Sequence, residues 1–506
     1  MIKKLPLPWS SSLDSKTVSE LRKAAITYAL TNSLIIRPSL SISTLDSIVI
    51  HAPFCLFPST FPQGQFEKAL RLQTAYNQLY ANLACNPNLI REVIGKIIAK
   101  VDLFIGKFYE IWEKVENDGK SNSHLSLGIF RSDYLLHQEN LNVPLEIKQV
   151  EFNTVSVSFG GLGTKISELH RYLASLTTAL DPTKLPNHPN HALYSLSNGL
   201  RRAHETYLES EAPVGTVVIL MIVQENERNQ FDQSLLEYQL AEESAPIRLV
   251  RVSCHLVLQS TQLDPDTKKL YYISNKDKVE VSVVYYRSMY GPEDFLSEND
   301  WNGRYQLERS RAINCPNLST QLVGCKKFQQ VITEQDFLEK YHKVITKGIS
   351  QTLWNEVRST WAKIYSLESN EGFNLASDPS HASSFVLKPQ REGGGNNIYG
   401  QEIPRFVSNL EEEKRAGYIL MSLIQTLNKS QNYLIQSKDS SEAILPREVI
   451  SELGIFGVCL FKRDCLDGAN LIHNIEAGHL LRTKNCENDE GGVASGFSCL
   501  DSPLMV

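Results

Sequence analysis

The 506-residue chain is short of several things, and each shortage excludes something. It has no long apolar run. The strongest, VVILMIV at 217–223, falls far below the ~20 residues a membrane-spanning helix needs and reads as a buried strand, so no membrane association is expected. Cysteines number nine, an odd count, with no CxxC pair and no Cys/His cluster at zinc spacing. They read as reduced, mostly core thiols of a cytoplasmic protein rather than a disulfide framework or a zinc site. There is no basic excess either: 51 Lys and Arg stand against 57 Asp and Glu, a formal net charge of −6. Binding along a nucleic-acid backbone is therefore not expected, although a local basic pocket for a small anion is compatible with that balance. The opening MIKKLPLPWSSSLDSKTVSEL carries two lysines but no apolar segment behind them, so a secretory signal is not expected. Internal repeats, the GxxxxGK[ST] phosphate loop and the kinase GxGxxG loop are all missing.

What is there is an ordinary globular composition, 42% hydrophobic and 21% charged, in a chain long enough for more than one folding unit. Residues 14–117 keep apolar positions three and four apart, as in FEKALRLQTAYNQLYANLAC and LIREVIGKIIAKVDLFIGKFYEIWEKV, and read as mainly helical. Near 145 the period becomes two. In LEIKQVEFNTVSVSF the phase slips at Thr154, which marks a bulge or a strand end. FGGLG then turns the chain into a helix carrying Ile166, Leu169, Leu173 and Leu176, and free N–H groups at such a start can take an anion. Residues 214–325 read as an α/β unit: buried strand 217–223, helix DQSLLEYQLAEE, strand IRLVRVSC, hairpin KLYYI…VEVSVVYY and a charged helix YQLERSRAINC. That order predicts a small parallel sheet with helices on its faces. The tail returns to strands, VISELGIFGVCLF and GHLLRTK, and then to a small-residue loop. The expected division is 1–213, a helical part with the first portion of a core; 214–325, an α/β substrate-binding domain; and 326–506, the rest of the core with a glycine-rich loop at 388–400 and a small-residue loop at 486–496.

The chemistry concentrates in KPQREGGGNNIYG at 388–400. Its glycines let backbone N–H groups approach phosphate oxygens, and Lys388 and Arg391 supply charge. Glu392 makes sense beside phosphates if it helps hold a metal. Glu151 and Asn153, two apart on one strand face, offer the hard oxygens that Mg²⁺ takes. Taken singly, each feature has a plainer reading that is more common: the glycine triplet as a turn, Glu151 and Asn153 as a solvated strand face, FGGLG as a tight turn, and Lys326, Lys327 and the 482–484 RTK as surface charge. Taken together, they reach an α/β protein dependent on a Mg–nucleotide.

Eight motifs in chain order, EFNTVSVSFGGLG, QENERNQFDQ, YYRSMYG, STQLVGCKK, KPQREGGGNNIYG, SELGIFG, HLLRTK and EGGVASG, resemble the eukaryotic-type glutathione synthetase family, and HAPFCLFPSTFP at 51–62 extends the likeness toward the start. The resemblance implies an ATP-grasp ligase of mixed and antiparallel sheets with a helical N-terminal part and a mobile glycine-rich lid. It would be a cytoplasmic homodimer joining glycine to γ-glutamylcysteine with ATP and Mg²⁺, two ions accompanying the nucleotide. Carried onto this sequence, Glu151, Asn153 and Glu392 would be the metal ligands. ATP would be held by Glu151, Lys326, Lys388, Lys484, Glu452 and Glu490, by the lid residues Pro389, Gln390, Arg391, Glu392, Gly393, Gly394, Gly395, Asn396, Asn397 and Tyr399, and by Met421, Ser422, Leu423 and Ile424 around the adenine. The dipeptide would meet Arg131, Ser156, Val157, Ser158, Glu227, Arg228, Asn229, Gln233, Arg287 and Tyr290. Arg482 would face the substrate carboxylate region, with Val493 and Ala494 in a small-residue loop over the glycine. Arg482, Lys388, Lys326 and Ser158 would carry the catalytic roles.

This chain departs from the family pattern in places. Ser422 stands where an acid is usual beside the adenine, which implies weaker ATP binding at most. Glu490 replaces an Asp. YYRSMYG keeps Arg287 and Tyr290 but changes the pair between them. Ser495 stands where Ala is common, and relatives that use β-alanine carry a Leu-Pro pair in this loop. Ala494-Ser495 is closer to the glycine-using form, with β-alanine as the alternative acceptor.

Overall fold

Two long strands, Arg447–Asp464 and Gly468–Asn485, run antiparallel through the middle of the molecule. Leu125–His137 lies antiparallel on the far side of the first, and Glu146–Asn153 pairs with it in turn. In this computed structural model the described residues are all except 1–4, 11–12, 39–46, 119–124, 141, 276–277, 394, 428, 438–444, 465–467, 489–490 and 494–495.

The strands' pleat explains the two-sided burial. Successive side chains point to opposite faces. Leu127 and Ile129 join Phe456, Val458 and Leu460 in one apolar core, while Phe130 and Tyr134 join Leu453, Ile455 and Leu481 in the other. The helix Gln63–Ala84 covers the second face with Leu72, Tyr76, Leu79 and Leu83, spaced three and four apart. Helices Gly160–Leu176 and Ala192–Glu211 cover the first. A sheet between two helical layers makes its strands nearly continuous apolar runs, which is why GIFGVCLF was readable as strand.

The small parallel sheet is present. Val217–Val223 pairs in parallel with Leu249–Ser253 and with Lys278–Tyr286, and the latter pairs in parallel with Ile313–Cys315. Helix Gln230–Glu242 forms the first crossover, and Leu270–Ile273 makes the hairpin with Lys278–Tyr286. One expectation fails: YQLERSRAINC is not a single helix. The helix Glu298–Glu308, capped by Ser297 and Asp300, stops there, and Ile313–Cys315 is a strand. Ala312, Ile313 and Cys315 are fully or almost fully buried, and burial in a sheet outweighs a helical spacing whose intrinsic preference is weak. This strand also touches the main sheet through Asn314 opposite Ser126, so the parallel strands continue it. A second difference lies within 14–117, where short strands such as Phe54–Cys55 and Ser59–Phe61 interrupt the helices. They pair along the edge with Ser498–Asp501 and Pro503–Met505.

A separate four-stranded antiparallel sheet runs in the order Ile364–Ser366, Tyr418–Ser422, Phe385–Pro389, Ile398–Tyr399. It has its own core of Leu367, Phe385, Leu387, Ile403, Val407 and Leu420. The glycine-rich segment is the connection between its last two strands. Among the described residues no helix is long and apolar enough to cross a membrane.

Candidate active site

The strand Glu146–Asn153 ends at the expected phase slip. Asn153 sits opposite Arg131 and Glu151 opposite Asp133 on the neighbouring strand. From Lys326, the first residue of the short helix Lys326–Val331, a nearly buried ammonium reaches between two carboxylates, 2.9 Å from Glu151 Oε2 and 3.7 Å from Glu392 Oε2. Lys388, buried on the Phe385–Pro389 strand, donates to the carbonyl of Val150 at 3.1 Å. Sites more than 200 residues apart thus converge within one ion cluster.

Its electrostatics balance two carboxylates against two ammonium groups. Burial pushes the Glu151 carboxyl up, but Lys326 and Lys388 outweigh it and hold the group well below the usual carboxylate range. Burial depresses Lys326, yet Glu151 and Glu392 together raise it, so it stays charged. Lys388 is lowered, by burial first and by the Lys326 cation beside it. Glu392 is raised by burial, with Lys326 opposing.

The donor set fits a hard divalent ion delivered with phosphates. Asn153 Nδ2 is committed to Asp133 Oδ2 at 2.9 Å and to the Arg131 carbonyl at 3.4 Å, so of its two polar atoms the oxygen is the one that could hold a cation. Two carboxylates and one amide oxygen are the modest protein contribution that Mg²⁺ takes when phosphates and water complete its shell. Among the described residues no group of three or more His, Cys, Asp or Glu converges as a dedicated metal cage.

Next to this cluster lies a second one. After Asn153 the chain is irregular, with Ser156 (φ 52°) and Phe159 (φ 70°) in the left-handed region. Arg287 Nη2 donates to Ser158 Oγ at 2.7 Å, and its Nη1 donates to the Val157 carbonyl. Arg131 Nη1 reaches the Ser158 carbonyl at 3.3 Å, which links the two clusters. Asn229 is 3% exposed and, among the described residues, neither polar atom of its side chain has a partner; Gln233 Nε2 is likewise buried without one. Buried polar groups are normally satisfied, so unpaired ones mark a place for a polar ligand; the Gln233 oxygen is already taken by the Arg251 guanidinium. Glu227 caps this corner by accepting from the Asn229 N–H at 2.7 Å. Tyr290 is partly buried, with its hydroxyl pushed up to about 12 by burial and by Asp294.

Other expected residues sit at the margins. Arg482 donates to Asp133 Oδ2 at 3.0 Å and to Glu452, the residue opposite it on the adjacent strand. Lys484 lies two residues further along, opposite Ile450. Met421 is buried, with Ser422, Leu423 and Ile424 partly buried after it; the Ser422 and Leu423 N–H groups are bonded to the carbonyls of Lys363 and Ser384. Gln390 is spent structurally, accepting from the Lys327 N–H at 3.0 Å and donating to the Gly417 carbonyl. Arg391 pairs with Asp102, and Asn397 Nδ2 meets the Tyr399 hydroxyl at 3.2 Å. Arg228 points away, its Nε donating to the Arg37 carbonyl at 3.1 Å. Pro389 closes its strand, Gly393, Gly395 and Asn396 follow in the connection, and Val493 is buried in the core beside helix Gly160–Leu176. Gly394, Glu490 and Ala494, with Ser495, lie outside the described residues.

Three functional-looking acids were missed in the sequence. Asp133 binds two arginines and Asn153. Asp102 binds Arg391. Asp232 accepts from the N–H groups of Phe159 and Leu162 at 2.8 and 3.0 Å and so fills the helix start where an anion was expected. The available signal was slight: Asp133 is two from Arg131 on one strand and hence shares its face.

The chain matches the model of the family described as eukaryotic glutathione synthase, ATP binding domain, over residues 15–505. It is 36% identical to the mouse glutathione synthetase over 510 residues, covering 98% of this chain and 99% of that protein. It is 35% identical to the human one, with 98% and 99% covered. The glutathione synthetase large chain of Schizosaccharomyces pombe is 34% identical, with 96% and 97% covered. Among solved structures, a glutathione synthetase-like effector from Globodera pallida in its apo form aligns with a TM-score of 0.73 over 98% of both chains. At 20% identity that likeness carries the fold alone.

Proposed function

Since this chain belongs to the eukaryotic glutathione synthetase family of ATP-dependent ligases, we propose that it joins glycine to the cysteinyl carboxylate of γ-glutamylcysteine, with ATP converted to ADP and phosphate. The observation that carries this reading is Lys326 between Glu151 and Glu392, set beside the Arg131–Ser158–Arg287 cluster. One cluster suits a metal-bound triphosphate and the other a carboxylate-bearing polar substrate.

A carboxylate is a poor electrophile, so its oxygen is first phosphorylated. The amine of glycine then attacks the acyl carbon and phosphate leaves. Phosphoryl transfer needs positioning and charge balance more than covalent help. Lys326 and Lys388 balance the transferring phosphate. Arg131, Arg287 and Ser158 orient the dipeptide, with Asn229 and Gln233 offering their unpaired groups. Arg482 steadies the reacting carboxylate. Glu151, Asn153 and Glu392 would hold Mg²⁺, two ions in all with the nucleotide, whose bound charge offsets that of the phosphates. The 388–400 connection closes over ATP and excludes water that would hydrolyse the acyl phosphate. The same reading includes a cytoplasmic homodimer and the division at 213 and 325.

The test is ADP release from purified protein given ATP, Mg²⁺ and γ-glutamylcysteine with glycine, β-alanine or serine in parallel. Fastest turnover with glycine supports the reading. Where glycine is fastest, exchange of Ala494-Ser495 for Leu-Pro is expected to shift the preference away from it; fastest turnover with β-alanine or serine keeps the mechanism but changes the product, to homoglutathione with β-alanine. No turnover with any acceptor rejects it.

A further inference from the structure

We propose that Asp133 is a positioning residue: its carboxylate sets the direction of the Asn153 amide and holds Arg131 and Arg482 at a fixed spacing from each other. The inference rests on the ligase reading above.

Asp133 is wholly buried, and it lies opposite Glu151 on the strand that ends in Asn153. Its Oδ1 accepts from Arg131 Nε at 2.6 Å. Its Oδ2 accepts from Arg131 Nη2 at 2.8 Å, from Asn153 Nδ2 at 2.9 Å and from Arg482 Nη2 at 3.0 Å. With four donors on it, three of them on Oδ2, and no exposed surface, the carboxylate is not offered to a substrate or a metal ion. Its effect must pass through its neighbours.

Those neighbours come from three strands: Arg131 from Leu125–His137, Asn153 from Glu146–Asn153 and Arg482 from Gly468–Asn485. An amide can face either way. Anchored by its nitrogen, Asn153 keeps its oxygen away from Asp133, the only orientation that can ligate a cation. The two guanidinium groups would repel each other without the carboxylate between them. Bound side-on through Nε and Nη2, Arg131 keeps Nη1 for the Ser158 carbonyl and the substrate side. The neighbouring strand leaves room for this fork. Gly454 lies opposite Asp133, and a Cβ there would come within 2.8 Å of both Arg131 Cδ and Asp133 Oδ1. A glycine is therefore required by close approach and not by its backbone angle.

The experiment compares the wild-type full chain with Asp133→Asn. Asparagine keeps the shape but removes the charge and turns one acceptor into a donor facing Asn153 and the arginines. Three quantities are read: Mn²⁺ affinity in the presence of ADP by electron paramagnetic resonance, γ-glutamylcysteine affinity by calorimetry without turnover, and the melting temperature. The expected result is a folded variant with Mn²⁺ affinity down by about tenfold, the usual scale for losing a group that orients a ligand, and dipeptide affinity down with it. A lowered melting temperature with both affinities unchanged makes Asp133 merely structural and overturns the proposal. If Asp133→Asn does not fold, Gly454→Ala presses the same fork with every charge kept; it is expected to weaken both affinities, and unchanged affinities overturn the proposal. Failure of both variants to fold also overturns it. A wild-type protein that binds neither Mn²⁺–ADP nor the dipeptide defeats the ligase reading instead, which separates the two failures.

Discussion

Lys326 and Glu151 form an ion pair, 2.9 Å from nitrogen to oxygen, across 175 residues of sequence, with the ammonium nearly buried and the carboxylate partly exposed. Glu392 approaches the same ammonium from the glycine-rich connection. Removing the lysine leaves two carboxylates facing each other. Lys326→Met is expected to lower stability by about 3 kcal/mol, the scale for stranding a buried charge, and to abolish measurable ATP binding. Denaturant unfolding and nucleotide titration check it, and ATP affinity equal to wild type would refute the phosphate role.

Gly393 and Gly395 adopt φ of +81° and +91°, and a Cβ at either meets nothing within 4 Å. An alanine there therefore costs backbone strain alone, about 1–2 kcal/mol. The double change Gly393→Ala, Gly395→Ala is expected to leave the melting temperature nearly unchanged and to reduce kcat at least tenfold, because the strain falls on the closing segment. Steady-state kinetics beside a thermal melt decide it, and normal kcat would separate this segment from closure.

Asp102 does two jobs. Its Oδ1 caps the helix Leu103–Asn117 by accepting from the N–H groups of Phe104 and Ile105, both at 3.1 Å, while Oδ2 takes the Arg391 guanidinium. Asparagine is an equally good cap but carries no charge. Asp102→Asn should keep the helix and loosen the stem of the glycine-rich segment, raising KM for ATP about fivefold, the equivalent of roughly 1 kcal/mol for a partly exposed pair. An unchanged KM would mean that this tie does not act on the nucleotide.

Asp501 is buried among Ser59, Thr483, Cys55 and the N–H of Ser502, and burial raises its carboxyl to about 6. The neighbouring Cys55 thiol is itself pushed up by burial and by Cys499 and Asp501. A carboxyl raised above its unfolded value of 3.8 gives stability that is complete below pH 3.8 and is lost as pH rises through about 6. Two pH units of separation correspond to about 3 kcal/mol. The difference in unfolding free energy between wild type and Asp501→Asn is therefore expected to shift in favour of the variant between pH 4 and 6.5 and to be flat above. A pH-independent difference would show that the carboxyl titrates normally.

Much of the site was legible because its parts are local. The phase slip after Asn153 marked a strand end, and the strand does end there. KPQREGGGNNIYG advertised a backbone-rich connection, and it joins two strands of a small sheet. The charged stretch after Tyr305 was misread because Ile313 and Cys315 answer to a neighbouring strand and not to their own helical spacing.

The sequence by itself determined the apolar periods, the placement of glycines and the residue types available for phosphate and metal chemistry. These depend on side chains a few positions apart, where backbone geometry dictates who shares a face. Only the tertiary structure decided which charge meets which. Asp133 holds Arg482, Asp102 holds Arg391 and Asp232 closes the helix start at Phe159. A buried charge must find a partner, but nothing local names the one that folding brings within 3 Å. That choice is made by how the strands align in the sheet and how the helices pack on it.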